Sequence, residues 1–78
     1  MSTIDPDILD AAVAAARQGK GGITRIITSQ YFTFYFEGDE VLLTDEMRLE
    51  VEARLGCKLK EKVFKGLEGE TALVPSRR

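Results

Sequence analysis

Apolar and charged residues alternate without exception between positions 47 and 55, in the segment MRLEVEARL. Strict alternation is typical of a half-buried strand, but methionine, arginine, leucine, glutamate and alanine are strong helix formers. Thr44 or Asp45 can cap the start of a helix here, and Gly56 can end it. Two charged pairs have the (i, i+4) spacing of helical ion pairs: Glu50 with Arg54, and Arg48 with Glu52. Together these features predict a helix over residues 45–55.

This helix would carry two apolar stripes. At about 100° per residue, Met47, Val51 and Leu55 form one stripe, while Leu49 and Ala53 lie on roughly the opposite side. One stripe can pack on the sheet of its own chain. The other would be exposed in a monomer, so we expect a second apolar surface to cover it, from the C-terminal segment or from another chain.

A first helix is predicted over residues 6–18. Asp5 is a suitable N-cap, and Pro6 fits the first helical position, where no N–H donor is needed. Gly19 is a natural C-cap. The core face of this helix is mostly alanine, and small side chains allow close approach of a sheet or of another helix.

Much of the remaining chain is rich in the β-branched and aromatic residues that favour extended backbone. It predicts five strands, at residues 23–29, 31–37, 40–43, 58–65 and 70–74. Gly38 is expected to supply the unusual backbone angles of the turn after the second strand. The junction at Ser29 and Gln30 contains no glycine, so it is either a turn or a bulge inside one long bent strand. Residues 75–78 are expected to form a flexible tail.

These elements predict a single α+β domain over residues 1–78, with two helices on one face of an antiparallel sheet of three to five strands. At 78 residues, of which 44% are hydrophobic, the chain has room for one core only. Cys57 is the only cysteine, which excludes a disulfide within the chain and fits a reducing compartment. No segment approaches the roughly 20 apolar residues that span a bilayer. We therefore expect a cytoplasmic protein with no membrane contact.

Candidate catalytic chemistry is sparse. The chain contains no histidine, the commonest general base and metal ligand. Cys57 follows a predicted helix C-terminus, where the helix dipole disfavours a thiolate. The acidic residues lack the spacing of a calcium loop, and the glycines at 19–22 follow a helix where a phosphate loop would open one. We therefore predict no catalytic residue, no metal, no cofactor and no small-molecule substrate.

The segment YFTFYF at positions 31–36 is the most unusual stretch. On a strand, its phenylalanines fall on one face and its tyrosines on the other. Phenylalanines suit a core, whereas tyrosines combine large apolar area with a hydrogen-bonding end, as interfaces do. The alternative without a binding role is that the tyrosines are half-buried surface residues on a solvated sheet. The candidate partner-binding residues are Tyr31, Thr33, Tyr35, Leu49, Ala53, Glu37, Asp39 and Glu40.

Charge is divided unevenly along the chain although the net charge is only −2. Residues 37–52 contain seven acids and one base, whereas residues 53–65 contain five bases and one acid. Such a division usually reflects two solvated faces, and alternating lysines often protect a strand edge from aggregation. It can also orient a partner electrostatically.

Three functions are consistent with these features. The first is a non-enzymatic protein-binding module, acting as a homodimer or as a small adaptor or inhibitor that docks on a larger complex. Small accessory proteins of phages and mobile elements often have this size and this lack of active-site residues. The alternative is nucleic-acid binding, with Tyr31 and Tyr35 stacking on bases. Its cationic residues would be Arg25, Lys58, Lys60, Lys62 and Lys65. A weaker alternative is an acidic nucleic-acid mimic that binds a basic cleft.

Overall fold

A computed structural model describes residues 4–19, 21–25, 30–63 and 70–76. Its elements follow in the order α1 (Pro6–Gln18), β1 (Ile23–Arg25), β2 (Thr33–Phe36), β3 (Asp39–Leu42), α2 (Asp45–Leu55), β4 (Leu59–Val63) and β5 (Thr71–Pro75). The predicted α+β class is confirmed, and both helices have the predicted bounds.

The five strands form one antiparallel sheet in the order β3-β2-β1-β5-β4. The first and last strands of this order, β3 and β4, are therefore its edges. Helix α2 connects these two edge strands. The two helices contact each other, and together with the inner face of the sheet they enclose the core.

Local capping explains where both helices begin. The side chain of Asp5 accepts the N–H of Asp7 at 2.8 Å at the start of α1. At the start of α2 the hydroxyl of Thr44, and not Asp45, accepts the N–H of Met47 at 3.1 Å. Each bond satisfies a backbone donor that the first helical turn leaves without an intrahelical partner.

The alternating segment is a helix that buries one of its two stripes. Val51 is fully buried and Met47 nearly so, and both pack in the core. Leu49 is 66% exposed and Ala53 is also exposed. The expectation that the C-terminal segment covers this second stripe is therefore wrong for the described residues.

The core brings together the phenylalanines of β2 and the apolar faces of the other elements. The largest fully buried side chains are Phe34, Ile23, Leu73 and Val51. Phe32 is also buried, and Phe36 packs against the same cluster. The predicted division of the YFTFYF segment into a core face and an outer face is confirmed.

Several strand bounds differ from the prediction. β2 begins at Thr33 and not at 31, β3 spans Asp39–Leu42 and not 40–43, and β4 begins at Leu59. Residues 26–29 and 64–65 of the predicted strands lie outside the described residues. Thr24 pairs with Thr33 in antiparallel register, so the chain reverses between them and the single long strand is excluded.

Residues 75 and 76 of the predicted flexible tail are held by the sheet, so the prediction is wrong for them. Pro75 is the last residue of β5 and lies opposite Leu59, and Ser76 donates its N–H to the carbonyl of Lys58 at 2.7 Å. A proline is tolerated here because β1 pairs with β5 only up to Leu73. Residues 77–78 lie outside the described residues.

The turn between β2 and β3 is tighter than the sequence indicated. Phe36 pairs with Asp39, leaving two residues in the loop. Both have positive φ angles, 53° for Glu37 and 87° for Gly38. This is the pattern of a type I′ hairpin turn, which favours Asn-Gly. Glu37 is thus held in a conformation that suits asparagine better than glutamate.

Glu37→Asn is therefore expected to stabilise the protein by about 0.5 to 1 kcal/mol, because the left-handed backbone is less costly for asparagine. The melting temperature should rise by roughly 2–8 °C for a domain of this size. Glu37→Gln is the matched control, since it removes the same charge without the left-handed preference. Equal melting temperatures for the two variants would show that charge, and not backbone conformation, governs the position.

Two side chains of α2 protect the exposed edge of β4. Arg48 donates to the carbonyl of Leu59 at 3.0 Å, and Glu52 accepts the N–H of Leu59 at 2.9 Å. The two side chains also pair with each other at 3.6 Å, as their spacing predicts. Lys58 is the residue whose carbonyl bonds to β5, so in the antiparallel register the backbone groups of the next residue, Leu59, point away from β5 toward the sheet edge. The side chains of α2 supply their hydrogen bonds. Arg54 contacts Asp10 of α1 at 3.1 Å.

Removing this contact should be costly. Glu52→Ala leaves the N–H of Leu59 without its carboxylate acceptor, and we expect a loss of about 1.5 kcal/mol in the free energy of unfolding. Glu50→Ala, on the exposed side of the same helix, should change it by no more than about 0.5 kcal/mol. Chemical denaturation of both variants measures the difference, and equal values would contradict a stabilising role for Glu52.

Candidate protein-binding face

The helices cover one face of the sheet, and we call the opposite face the open face. Residues directly opposite each other on antiparallel strands share a face. One such row crosses all five strands in register: Leu42, Thr33, Thr24, Ala72 and Lys62. Its three central side chains are small, so they project little from the middle of the open face.

Larger side chains flank this row. Tyr35 and Glu40 pair across β2 and β3, and Lys60 and Val74 pair across β4 and β5. Both pairs lie on the same side of the row, because β2 and β5 run in the same direction on either side of β1. Tyr35 is 69% exposed, and Val74 is half-buried.

A shallow groove runs along the β2 side of the open face. Its lining residues are Thr24, Arg25, Tyr31, Thr33, Tyr35, Glu40 and Glu70. Four of the predicted partner-binding residues are therefore neighbours in the structure: Tyr31, Thr33, Tyr35 and Glu40. The two-residue period of β2 groups Thr33 with Tyr35, the tight hairpin returns Glu40 of β3 alongside them, and Tyr31 lies just before β2.

Glu40 is oriented by a hydrogen bond within the open face. The hydroxyl of Thr33 donates to its carboxylate at 2.9 Å. This bond runs diagonally between neighbouring rows, because Thr33 lies opposite Leu42 while Glu40 lies opposite Tyr35. The carboxylate is therefore held over the open face beside the groove.

The predicted acidic and basic segments lie at opposite edges of the same sheet. Edge strand β3 carries Asp39 and Glu40, and edge strand β4 carries Lys60 and Lys62. Glu40, Lys60 and Lys62 all belong to the open face. The sequence showed two charged segments. Only the strand order shows that uncharged open-face residues of β2, β1 and β5 lie between them.

The remaining predicted partner residues do not join this face. Leu49 and Ala53 lie on α2, in the layer on the other side of the sheet. Glu37 lies in the hairpin turn. Asp39 lies opposite Phe36, at a position of the helix-covered face. The predicted partner-binding set therefore divides into an open-face group of four, a separate helical pair and two acids at the hairpin.

The predicted basic set is divided as well. Lys60 and Lys62 share the open face, and Lys58 precedes β4, while Lys65 lies outside the described residues. Arg25 contacts Glu61 at 3.5 Å and lies over the ring of Phe32, 5.3 Å from its centroid. Glu61 alternates with the two open-face lysines along β4, so Arg25 reaches the opposite face of the sheet.

Other chemistry is limited in the described part of the chain. There, no group of three or more cysteine, aspartate and glutamate side chains is arranged to hold a metal ion. Cys57 is a free thiol of intermediate exposure. Neither described helix has the length and apolar character needed to cross a bilayer.

Comparisons of the chain with protein-family models, with curated proteins and with solved structures find no match. Its function therefore has to be inferred from its own residues.

Proposed function

We propose that this chain is a non-enzymatic protein-binding module and that the open face of its sheet is the binding surface. The supporting observation is the exposure of aromatic and aliphatic side chains there. Among the described residues, five large hydrophobic side chains are exposed, and three of them belong to this face: Tyr31, Tyr35 and Leu42. A contiguous exposed apolar patch on a small protein marks an interaction surface.

The distribution of charge supports the same proposal. Within the strands, the middle of the open face carries threonine, alanine, valine and tyrosine, and Glu40, Lys60 and Lys62 lie at the two edges, while Glu70 lines the groove just before β5. Protein interfaces have this anatomy, with few charges in a central region rich in aromatic residues and a polar rim. Cys57, as a lone free thiol, fits a module that works in the reducing cytoplasm.

Nucleic-acid binding is the second candidate, because Lys60 and Lys62 share the face that carries the tyrosines. The groove beside Tyr31 and Tyr35 opposes it, since it is lined by the carboxylates of Glu40 and Glu70, and the cation that also lines it, Arg25, pairs with Glu61. A backbone phosphate would be repelled where the bases would stack. We expect no binding of single-stranded DNA or RNA at low salt, measured by fluorescence anisotropy, and salt-sensitive binding would favour this candidate instead.

The acidic-mimic function depends on a different group of side chains. Glu37, Asp39 and Glu40 are all exposed at the β2–β3 hairpin. Replacing all three with neutral residues should abolish partner binding if they imitate nucleic-acid phosphates. On the proposal made here, the apolar centre of the open face contributes most of the binding, and the triple variant retains measurable affinity.

Site-specific photo-crosslinking in the native host tests the proposed surface. A photoreactive amino acid at Tyr35 samples the open face, and one at Leu49 samples the exposed stripe of α2. Val63, which is also exposed, is the control. We expect nuclease-resistant crosslinks to polypeptide from Tyr35 above the control. Crosslinks from Leu49 alone, or to nucleic acid, would overturn the proposal.

A further inference from the structure

We propose that the open face binds a second copy of this chain, face to face, about a two-fold axis that runs parallel to the strands. This inference rests on the proposed function, because it names the occupant of the same surface. It follows from the order of the strands and from the side chains that each strand presents.

A two-fold axis parallel to the strands, in the plane between two stacked sheets, exchanges the two edges. The strand order β3-β2-β1-β5-β4 is then laid over its own reverse. β3 of one protomer faces β4 of its partner, β2 faces β5, and β1 lies over β1. The interface is isologous, so every contact away from the axis occurs twice.

This arrangement pairs opposite charges. Glu40 and Lys60 lie on the same side of the central row, at opposite edges of the open face. The axis places Glu40 of each protomer opposite Lys60 of the other. The hydrogen bond from Thr33 already orients the Glu40 carboxylate over this face. Complementary charges at the rim select the register of an interface and suppress wrong arrangements.

The same operation matches size and polarity in the interior of the interface. Tyr35 of one protomer faces Val74 of the other, and Leu42 faces the aliphatic stem of Lys62. Thr33 faces the position of Ala72, which is already fully buried within one chain, and Thr24 meets its own copy at the axis. Small side chains in the centre of the face allow two sheets to pack at the usual spacing of about 10 Å.

Other symmetric arrangements of the same sheets are less favourable. A two-fold axis perpendicular to the strands, in the plane between the sheets, places β3 over β3 and β4 over β4, so the edge that carries Glu40 does not face the edge that carries Lys60. Edge-to-edge pairing through β4 is hindered because Arg48 and Glu52 already occupy the backbone groups of Leu59. Pairing β3 with β4 of the next copy would build an open chain of subunits and not a closed dimer.

The small area of the open face limits the expected affinity of the dimer. Four strand spacings and strands of up to five residues give a face of about 19 by 17 Å. That is small beside the roughly 800 Å² that each partner buries in a standard interface. We therefore expect a weak, reversible dimer with a dissociation constant of roughly 100 µM.

Sedimentation equilibrium of the purified full chain, from 1 µM to 1 mM, tests the proposal. We expect a monomer–dimer equilibrium. Lys60→Glu and Glu40→Lys should each weaken it at least about tenfold, because each brings like charges together twice. The double variant, Lys60→Glu with Glu40→Lys, should recover to within about threefold of the original. Glu50→Lys, the same charge change on α2, is the matched control and should leave the dimer unchanged.

A covalent measurement complements this in case a charge variant folds poorly. In a Cys57→Ser background, Thr24→Cys should be joined to its copy efficiently by a short bis-maleimide, since Thr24 lies at the axis. Val63→Cys, at an exposed site of β4, should not react in this way. Far-UV circular dichroism verifies that each variant is folded.

The outcomes separate this inference from the proposed function. A chain that stays monomeric up to 1 mM and gives no Thr24→Cys dimer overturns the second copy. If Tyr35 then crosslinks to a different protein in the host, the proposed function stands with another occupant. A dimer that ignores both single charge reversals, or that the double variant fails to recover, overturns the parallel axis.

Discussion

Gly22→Ala is expected to lower the free energy of unfolding by about 3 kcal/mol or more, at or above the upper end of the usual cost of overpacking. A Cβ atom at this position would lie 1.9 Å from the carbonyl oxygen of Ala15 and 2.7 Å from its carbonyl carbon. Both atoms belong to the backbone of α1, so no side-chain rotation relieves the clash. The helix would have to move away from the sheet.

The expected loss is large relative to the stability of so small a domain. At 0.05–0.15 kcal/mol per residue, a 78-residue domain has roughly 4 to 12 kcal/mol to lose. The melting temperature of Gly22→Ala should fall by about 12 °C or more. Thermal unfolding followed by circular dichroism measures it.

Gly56→Ala is the matched control for this variant. Gly56 ends α2 with a φ angle of 76°, and nothing lies within 4 Å of a Cβ atom placed there. Its substitution should cost only about 1 kcal/mol, from the left-handed backbone. A Gly22→Ala variant no less stable than Gly56→Ala would contradict the close packing of α1 on the loop before β1.

Met47→Ala is the second substitution with a large expected effect. Met47 is 6% exposed and packs in the core, so truncation should cost about 2 to 5 kcal/mol in the free energy of unfolding. Leu49→Ala, two residues along the same helix, should cost no more than about 0.5 kcal/mol in the monomer. The pair measures directly which stripe of the alternating segment is buried.

Urea denaturation at low micromolar concentration gives both free energies with the chain largely monomeric. Similar losses for the two variants would mean that both stripes are covered, and that the second stripe has a partner in solution. A larger loss for Leu49→Ala would contradict the orientation of α2.

The helix ends were predictable because their causes are local. Asp5, Pro6 and Gly19 lie within a turn of the ends of α1, and Thr44 and Gly56 stand at the two ends of α2. Each acts through backbone groups that the helix itself leaves unsatisfied. Such effects depend on residues that are close in the sequence, so the helix ends can be predicted from it.

The tyrosine group was predictable for a related reason. The two-residue period of a strand places Thr33 and Tyr35 on one face wherever the strand lies. Tyr31 precedes β2 but lines the same groove. The left-handed angle at Glu37 was missed because glutamate gives no sign of it. It results from the pairing of Phe36 with Asp39, which leaves a two-residue loop.

The buried side of α2 was not predictable from the chain alone. Its alternating residues give two apolar stripes of similar length, so periodicity favours neither. Tertiary packing decides between them, by placing Met47 and Val51 against the core while Arg48 and Glu52 reach the backbone of Leu59. The residues that make these contacts are not separated by a regular interval in the chain, so sequence periodicity does not reveal the contacts.

By itself, the sequence determined the α+β class, both helices and the division of β2 into a phenylalanine face and a tyrosine face, because these depend on composition, caps and short periods. Tertiary structure alone decided that β3 and β4 are the two edges and that Glu40 and Lys60 share one face of the sheet. The reason is physical: strand order is set by which apolar faces pack together around the core and not by position in the chain. The candidate binding face forms only when the strands adopt this order in the sheet.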